Sequence, residues 1–463
     1  MTTDPTIDTA TSEPATARSV PAAADGSRPR VLLAHRFYYP DVTTYSQMLR
    51  IIGEHLDRDG FDVTVFSTQP GYNGVYDGPP LPKRATEAGL TVHRAGIPGA
   101  GSSLGRLLGG FVYGLLLIAH CVRRRGTYDA ISVSTVPPVL MGLCGTIAAR
   151  LSGAKLVYHC MDLYPEIAVA SGLSTEGFLT SVARRLDMIT VRSATTVIVL
   201  SDDMAATLAA RGHHNRNVEI LNNFTIEEVG QAAPLPDEFA RGDKDRFRVL
   251  FAGNLGRFQG LDTVMTGFLA AREADESLEL CFMGAGAMES ELRSMAGDEV
   301  GRSVQFWPHS PLPIAMDAIA DADLALVSLV PGLVQSAFPS KTLMYLEMGT
   351  RIMAVVEADS ALARLVEDEK VGTVAPVGDH EALAAELVAE AAQATARRQD
   401  GDLGDADRNR ATEAAARLFG QPVVLPKWTT LYADLLGVSH PAGKTAADTA
   451  ARPPINAPEV VEQ

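Results

Sequence analysis

Short apolar runs alternate along this chain with stretches in which apolar residues recur at every third or fourth position. The first pattern marks buried strands and the second amphipathic helices. Residues 31–34 predict a strand, Leu49, Ile52 and Leu56 a helix face, Gly60 its end, and 63–66 the next strand. Strand, helix, strand is the unit of a parallel sheet. The rhythm continues with strands at 130–133, 154–159 and 196–200 and helices at 139–151 and 202–211. After Pro234 and Pro236, which read as a linker, it restarts at 248–251. Further strands follow at 278–283, 304–307, 324–329 and 351–356. The expected fold class is α/β, with two Rossmann-like domains facing across a cleft at the carboxyl ends of their strands, where ligands bind.

Composition adds little to the fold but removes some functions. A length of 463 residues suits two domains, and 46 % hydrophobic with 21 % charged residues suits a folded globular chain. A net charge of −16 excludes a general nucleic-acid binder, which needs a broad basic field. Cys121, Cys144, Cys160 and Cys281 form no CxxC motif and read as small buried residues in a reducing compartment. The segments 1–27 and 438–463 are rich in small and polar residues and read as disordered tails without a signal peptide.

One region departs from the acidic average. From Lys83 to Arg125 there are seven Lys or Arg and one acid, Glu87, and the sixteen residues between Arg106 and Arg123 carry no formal charge. That is short of the roughly 20 apolar residues of a transmembrane helix. Basic flanks around an apolar helix at about 104–125 fit peripheral contact with an anionic membrane surface. A buried helix of the first domain is the competing reading.

Four segments then share a likeness. Phe251-Ala252-Gly253-Asn254-Leu255-Gly256-Arg257-Phe258-Gln259-Gly260-Leu261-Asp262 resembles the opening of the donor domain in family 4 glycosyltransferases, in the branch typified by WbuB. Val136-Pro137-Pro138, Asp162-Leu163-Tyr164-Pro165-Glu166 and Phe338-Pro339-Ser340-Lys341 agree with it, in the same order. The resemblance spans about 29–437. It implies a GT-B fold with an acceptor-side domain at 28–228, a nucleotide-sugar domain at 229–424, and a terminal helix at 425–437 returning to the first domain. It further implies a nucleotide-sugar donor linked to UDP, retention of configuration, no metal and no cofactor. The implied acceptor is a lipid-linked saccharide of envelope polysaccharide, handled in the cytoplasm at the inner face of the membrane. Two rivals stand beside it: a UDP-sugar 2-epimerase on the same fold, and a non-catalytic membrane-associated sugar-binding protein.

Glycosyl transfer loads negative charge onto a leaving diphosphate, so the site needs preorganised cations and amide donors there. Arg257, in a glycine-flanked loop after a strand, and Lys341, at a helix start beside Ser340, are the candidates. Gly256, Gly284 and Gly286 let backbone approach a phosphate, or simply make turns. Many members of the family carry Arg and Lys where Asn254 and Gln259 stand. Many also have a ribose-gripping carboxylate at the place of Met344, and Glu347, one position short of a helical turn further on, is a possible substitute. Thr43, Thr44 and Tyr45 either face the diphosphate or acceptor, or cap a helix. His159, Asp162 and Glu166 are candidates to take the acceptor's proton, with burial the alternative for His159. Ser201-Asp202-Asp203 reads as a helix cap, and His213-His214 lack further ligand partners, so no metal is expected.

Overall fold

The computed structural model describes residues 27–438 apart from 42, 72–75, 77, 98–102, 215–216, 227–234, 242–245 and 401–403. The segments 1–26 and 439–463, expected as tails, and Pro234 of the expected linker lie outside the described residues.

The first lobe contains β1 (Arg30–Ala34), β2 (Asp62–Thr68), β3 (Arg84–Glu87), β4 (Leu90–Ala95), β5 (Ala130–Ser134), β6 (Lys155–His159), β7 (Thr196–Val199) and β8 (Val218–Ile220). They form one sheet in the order β3-β4-β2-β1-β5-β6-β7-β8, parallel except for the β3–β4 pair. Its helices are α1 (Thr44–Arg58), α2 (Ser103–Arg123), α3 (Leu140–Ser152), α4 (Glu166–Ala170), α5 (Phe178–Ser193) and α6 (Asp202–Ala210). The second lobe contains β9 (Phe247–Ala252), β10 (Leu278–Met283), β11 (Val304–Trp307), β12 (Leu324–Ser328), β13 (Ile352–Val356) and β14 (Gly372–Pro376). Their order, β11-β10-β9-β12-β13-β14, is wholly parallel and doubly wound. Helices α7 (Leu261–Ala274), α8 (Glu289–Ala296), α9 (Leu312–Asp321), α10 (Lys341–Glu347), α11 (Ala361–Asp368), α12 (His380–Gln399) and α13 (Asp405–Phe419) belong here, and α14 (Gln421–Leu436) follows.

Central strands are buried on both faces, which explains their continuous apolar runs. Val31 and Leu33 of β1 join a core with α1 and α14, while Leu32 and Ala34 join α2, α3 and α5 on the opposite face. The four strands that the apolar pattern does not mark are β3, β4, β8 and β14. Strands β3, β8 and β14 are at sheet edges, and β4 is half-buried and carries His93 and Arg94, so none presents an unbroken apolar run. Helix α14 packs on α1 in the first lobe: Trp428 meets His159 edge-on at 5.1 Å and Tyr432 meets Phe61. Lys155 Nζ also donates to the Leu435 carbonyl.

The lobes meet at the carboxyl ends of their strands. Asp162 forms an antiparallel bridge with Ala337, and Leu163 N–H donates to the Ser336 carbonyl at 2.7 Å. Thr207 donates to the Gln335 carbonyl at 2.7 Å. Asp203 accepts the Ala361 N–H at 2.8 Å, at the start of α11. The expected cap is present as well, since Ser201 accepts the Met204 N–H.

Two loops of the second lobe nest without side chains between them. A Cβ at Gly284, whose φ is +144°, would lie 2.0 Å from the Gly253 carbonyl oxygen. A Cβ at Gly286 would lie 2.3 Å from the Leu255 carbonyl oxygen. These glycines therefore permit backbone to approach backbone, a demand the sequence shares with phosphate binding. Gly284→Ala is expected to destabilise the protein by at least about 1–3 kcal/mol through its backbone conformation and this clash. Gly96→Ala, where the new carbon meets nothing within 4 Å, is the control. Thermal melting of the two variants distinguishes them.

Candidate functional site

The loop after β9 ends in a single 3-10 turn, Arg257–Gln259, directly before α7. Arg257 and Asn254 are exposed there, while Gly256 is buried and Gln259 part-buried. The Arg257 side chain has no hydrogen-bond or ion-pair partner among the described residues. The Gln259 N–H returns to the Gly256 carbonyl, which closes the turn. The N–H groups of Gly256 and Arg257 donate to no backbone carbonyl among the described residues.

Lys341 reaches this turn from the start of α10. Its Nζ donates to Gln259 Oε1 at 3.0 Å and lies 3.5 Å from the centre of the Phe251 ring. Gly253 has a φ of +132°, which favours glycine, and a Cβ there would be in ordinary contact with the amine at 3.8 Å. Among the described residues no carboxylate is within ion-pairing distance of Nζ. Loss of hydration pushes the Lys341 pKa from 10.5 down to about 7. The amine is held against a neutral amide and an aromatic face.

Sequence reasoning missed the group that aligns α10 with β9. The Tyr345 hydroxyl accepts the Ala252 N–H at 2.9 Å and donates to the Ala252 carbonyl at 3.2 Å. Tyr345 lies four residues after Lys341, on the same side of α10, which is the only signal the sequence carries. Ser340 is exposed at the N-cap of α10, and its hydroxyl makes no capping bond. Met344 is part-buried against the core, and Glu347 is part-buried near the other end of the helix.

The facing loop of the first lobe is held from behind. Glu166 bonds Arg184 at 2.7 Å and also pairs with Arg211, so its carboxylate is engaged by two guanidiniums. Arg211 further pairs with buried Asp187 at 2.8 Å and donates to the Tyr164 carbonyl at 3.2 Å. These contacts fix the 162–166 loop, whose strand-like bridge carries Asp162 to the segment just before Ser340. Burial raises the Asp162 carboxyl to about 6.

His159 lies deeper. It is 1 % exposed, its Nδ1 is 3.0 Å from the Tyr45 hydroxyl, and its ring is flanked by Tyr45 and Trp428. Burial pushes its pKa down to about 3, so the ring is neutral at physiological pH. Thr43 caps α1 by accepting the Ser46 N–H at 3.0 Å, and Thr44 is exposed in its first turn. The structure thus brings Gln259 to Lys341 and Tyr45 to His159. The Asp162 loop meets the Lys341 segment through backbone, while Glu166 faces arginines.

Known proteins match this arrangement on both sides of the cleft. The family described as "Glycosyl transferase 4-like domain" matches residues 43–223, and "Glycosyl transferases group 1" matches residues 246–391. WcaI of Escherichia coli strain K12, named for colanic acid biosynthesis as a glycosyl transferase, is 26 % identical over 345 residues, 71 % of this chain and 84 % of WcaI. WbjE of Pseudomonas aeruginosa, named as a glycosyltransferase, is 25 % identical over 61 % of this chain and 70 % of its own length. Among solved structures, sucrose-phosphate synthase from Thermosynechococcus elongatus aligns with a TM-score of 0.65 at 17 % identity, over 89 % of this chain and 100 % of that one. Anabaena HepE in complex with UDP aligns with a TM-score of 0.59 at 17 % identity, over 88 % and 100 %. With one family match on each lobe and the doubly wound sheets facing each other, the chain has the GT-B fold and joins a glycosyl transferase 4-like domain to a group 1 glycosyltransferase domain.

Proposed function

We propose that this enzyme is a retaining transferase of the WbuB-like branch. It moves a hexose or N-acetylhexosamine from a UDP-sugar to a lipid-linked saccharide during cell-envelope polysaccharide assembly. The observation that carries the donor reading is Lys341: its amine meets the Gln259 amide and the Phe251 ring, with no carboxylate among the described residues in ion-pairing range, and Gln259 shares a single turn with exposed Arg257. A diphosphate supplies the missing charge, and its charge grows as the glycosidic bond breaks. The solved HepE structures contain UDP and UDP-glucose, which supports a uridine donor. The name of WcaI supports a polysaccharide product.

In this reading Ser340, Gly256, Gly284 and Gly286 frame the diphosphate, Asn254 and Gln259 shape its pocket, and Glu347 beside Met344 receives the ribose. Asp162, with a carboxyl near 6, is the better placed base for the acceptor hydroxyl, because a base works best near ambient pH. His159 holds Tyr45, and Glu166 holds the Asp162 loop. The acceptor enters along the first lobe past Thr43 and Thr44, with α2 at the inner membrane face. No helix among the described residues is long and apolar enough to cross a membrane.

The direct test is nucleotide release with a panel of nucleotide sugars and a membrane extract. Free UDP formed only with acceptor present is the expected outcome; an epimerised sugar without net UDP release contradicts it. Arg257→Ala and Lys341→Ala are each expected to lower the transfer rate about 100-fold or more. Arg257→Ala leaves stability within about 0.5 kcal/mol, as befits an exposed side chain. Near-normal turnover in both removes them from the mechanism.

A second outcome concerns pH. Free Lys341 loses its proton near pH 7, whereas a bound diphosphate stabilises the charged amine and raises its pKa. UDP binding then takes up a proton above pH 7, and affinity falls by up to about ten-fold per pH unit there. Lys341→Met is expected to bind more weakly and to lose that slope. Calorimetric titration of both proteins between mildly acidic and alkaline pH measures it, and parallel profiles would contradict the contact.

A further inference from the structure

The water-facing apolar side chains of this protein are gathered on one side. Among the described residues thirteen large ones are exposed, and eleven of them lie on α2, α3, α5 or the loop leading into α5. On α2, Leu108, Phe111, Leu115 and Val122 follow helical spacing along one stripe. Ile147 and Leu151 do the same on α3, which packs directly against α2. On α5, which packs against α3, Leu179, Leu186 and Ile189 continue the surface. Phe178 and Leu179 are 80 % and 81 % exposed, so neither contributes to the core.

The charge on this face is one-sided. Helices α2 and α3 contain no Asp or Glu. The only acid of α5, Asp187, is buried in its pair with Arg211. Arg123, Arg125, Arg150, Arg185 and Arg192 are exposed on or just after these helices. Glu176, exposed just before α5, is ion-paired to Arg184. This cationic surface belongs to a chain with a net charge of −16. A second copy of the chain seated here would bring arginines against arginines, whereas anionic lipid headgroups complement them.

Direction adds to the picture. Helices α2, α3 and α5 each lead into a parallel strand, so their first turns are at the carboxyl end of the sheet, next to the cleft. Phe178, Leu179, Leu108 and Phe111 occupy that end. Arg123, Arg125, Arg150 and Arg192 occupy the other, where Arg150 bonds Ser193.

We propose that α2, α3 and α5 together form a monotopic docking face for an anionic lipid bilayer, with Phe178 and Leu179 inserted between acyl chains beside the cleft mouth. This rests on the lipid-linked acceptor reading above and extends its membrane contact from one helix to three. It brings the open cleft to the depth at which a lipid-borne saccharide emerges.

The test is flotation of the full chain with vesicles of phosphatidylcholine alone or mixed with phosphatidylglycerol, at low and high salt. Wild type is expected to float with the anionic vesicles at low salt only. The double variant Phe178→Glu, Leu179→Glu is expected to lose at least about ten-fold in partitioning. Its melting temperature and its sugar transfer to acceptor extracted into detergent should remain those of wild type. Flotation of that variant at wild-type level, with loss only in Phe111→Glu, Leu115→Glu, overturns the three-helix face and leaves the α2 contact standing. Failure of wild type to float while it still transfers sugar removes membrane docking but not the transferase reading. Self-association through this face, abolished by Phe178→Glu, Leu179→Glu without any vesicle binding, also overturns the proposal.

Discussion

A cation with little water around it must find an opposite charge or lose its proton, and Lys341 has been brought to that condition. Its nearest partners are the amide oxygen of Gln259 and the face of Phe251, neither of which carries a formal charge. Loss of hydration therefore depresses its pKa to about 7. An arriving diphosphate reverses the balance. The same feature that costs stability without ligand gives binding energy that grows as the leaving group accumulates charge.

The surrounding structure serves to keep that amine where it is. Tyr345 locks α10 to the last residue of β9, and the Gly253 and Gly284 loops nest backbone against backbone beside that junction. From the opposite lobe, the bridge between Asp162 and Ala337 stitches one strand-end loop to the segment that leads into Lys341. The buried pair of Arg211 and Asp187 and the bonds of Glu166 hold that loop from behind. Chemistry proposed for Asp162 and charge proposed for Lys341 are thus mechanically linked through a few main-chain bonds across the cleft.

Much of the fold was legible in the sequence because buried parallel strands leave continuous apolar runs, as in 31–34 and 278–283. Edge strand β8 and the polar, half-buried β4 leave no such run and went unread. Within the candidate site, motif position drew attention to Lys341, Gln259 and Asp162, but their contacts depend on tertiary placement. Nothing in the chain announces that Asp203 caps a helix of the other lobe as well as standing in its own first turn. The enclosure of His159 by Tyr45 and Trp428 was equally hidden, because the three residues are far apart in sequence. Nothing in the sequence sets the apolar residues of α5 at 178–189 apart, and only their exposure does so.

Hydrogen–deuterium exchange of the full chain with and without UDP tests the central claim most directly. The expected result is slowed exchange at the amides of Gly256, Arg257, Gly286, Ser340 and Lys341, the groups proposed to frame the diphosphate. Unchanged exchange at all of these, with protection confined to the first lobe or to the far ends of the second-lobe strands, would contradict a diphosphate held by Lys341.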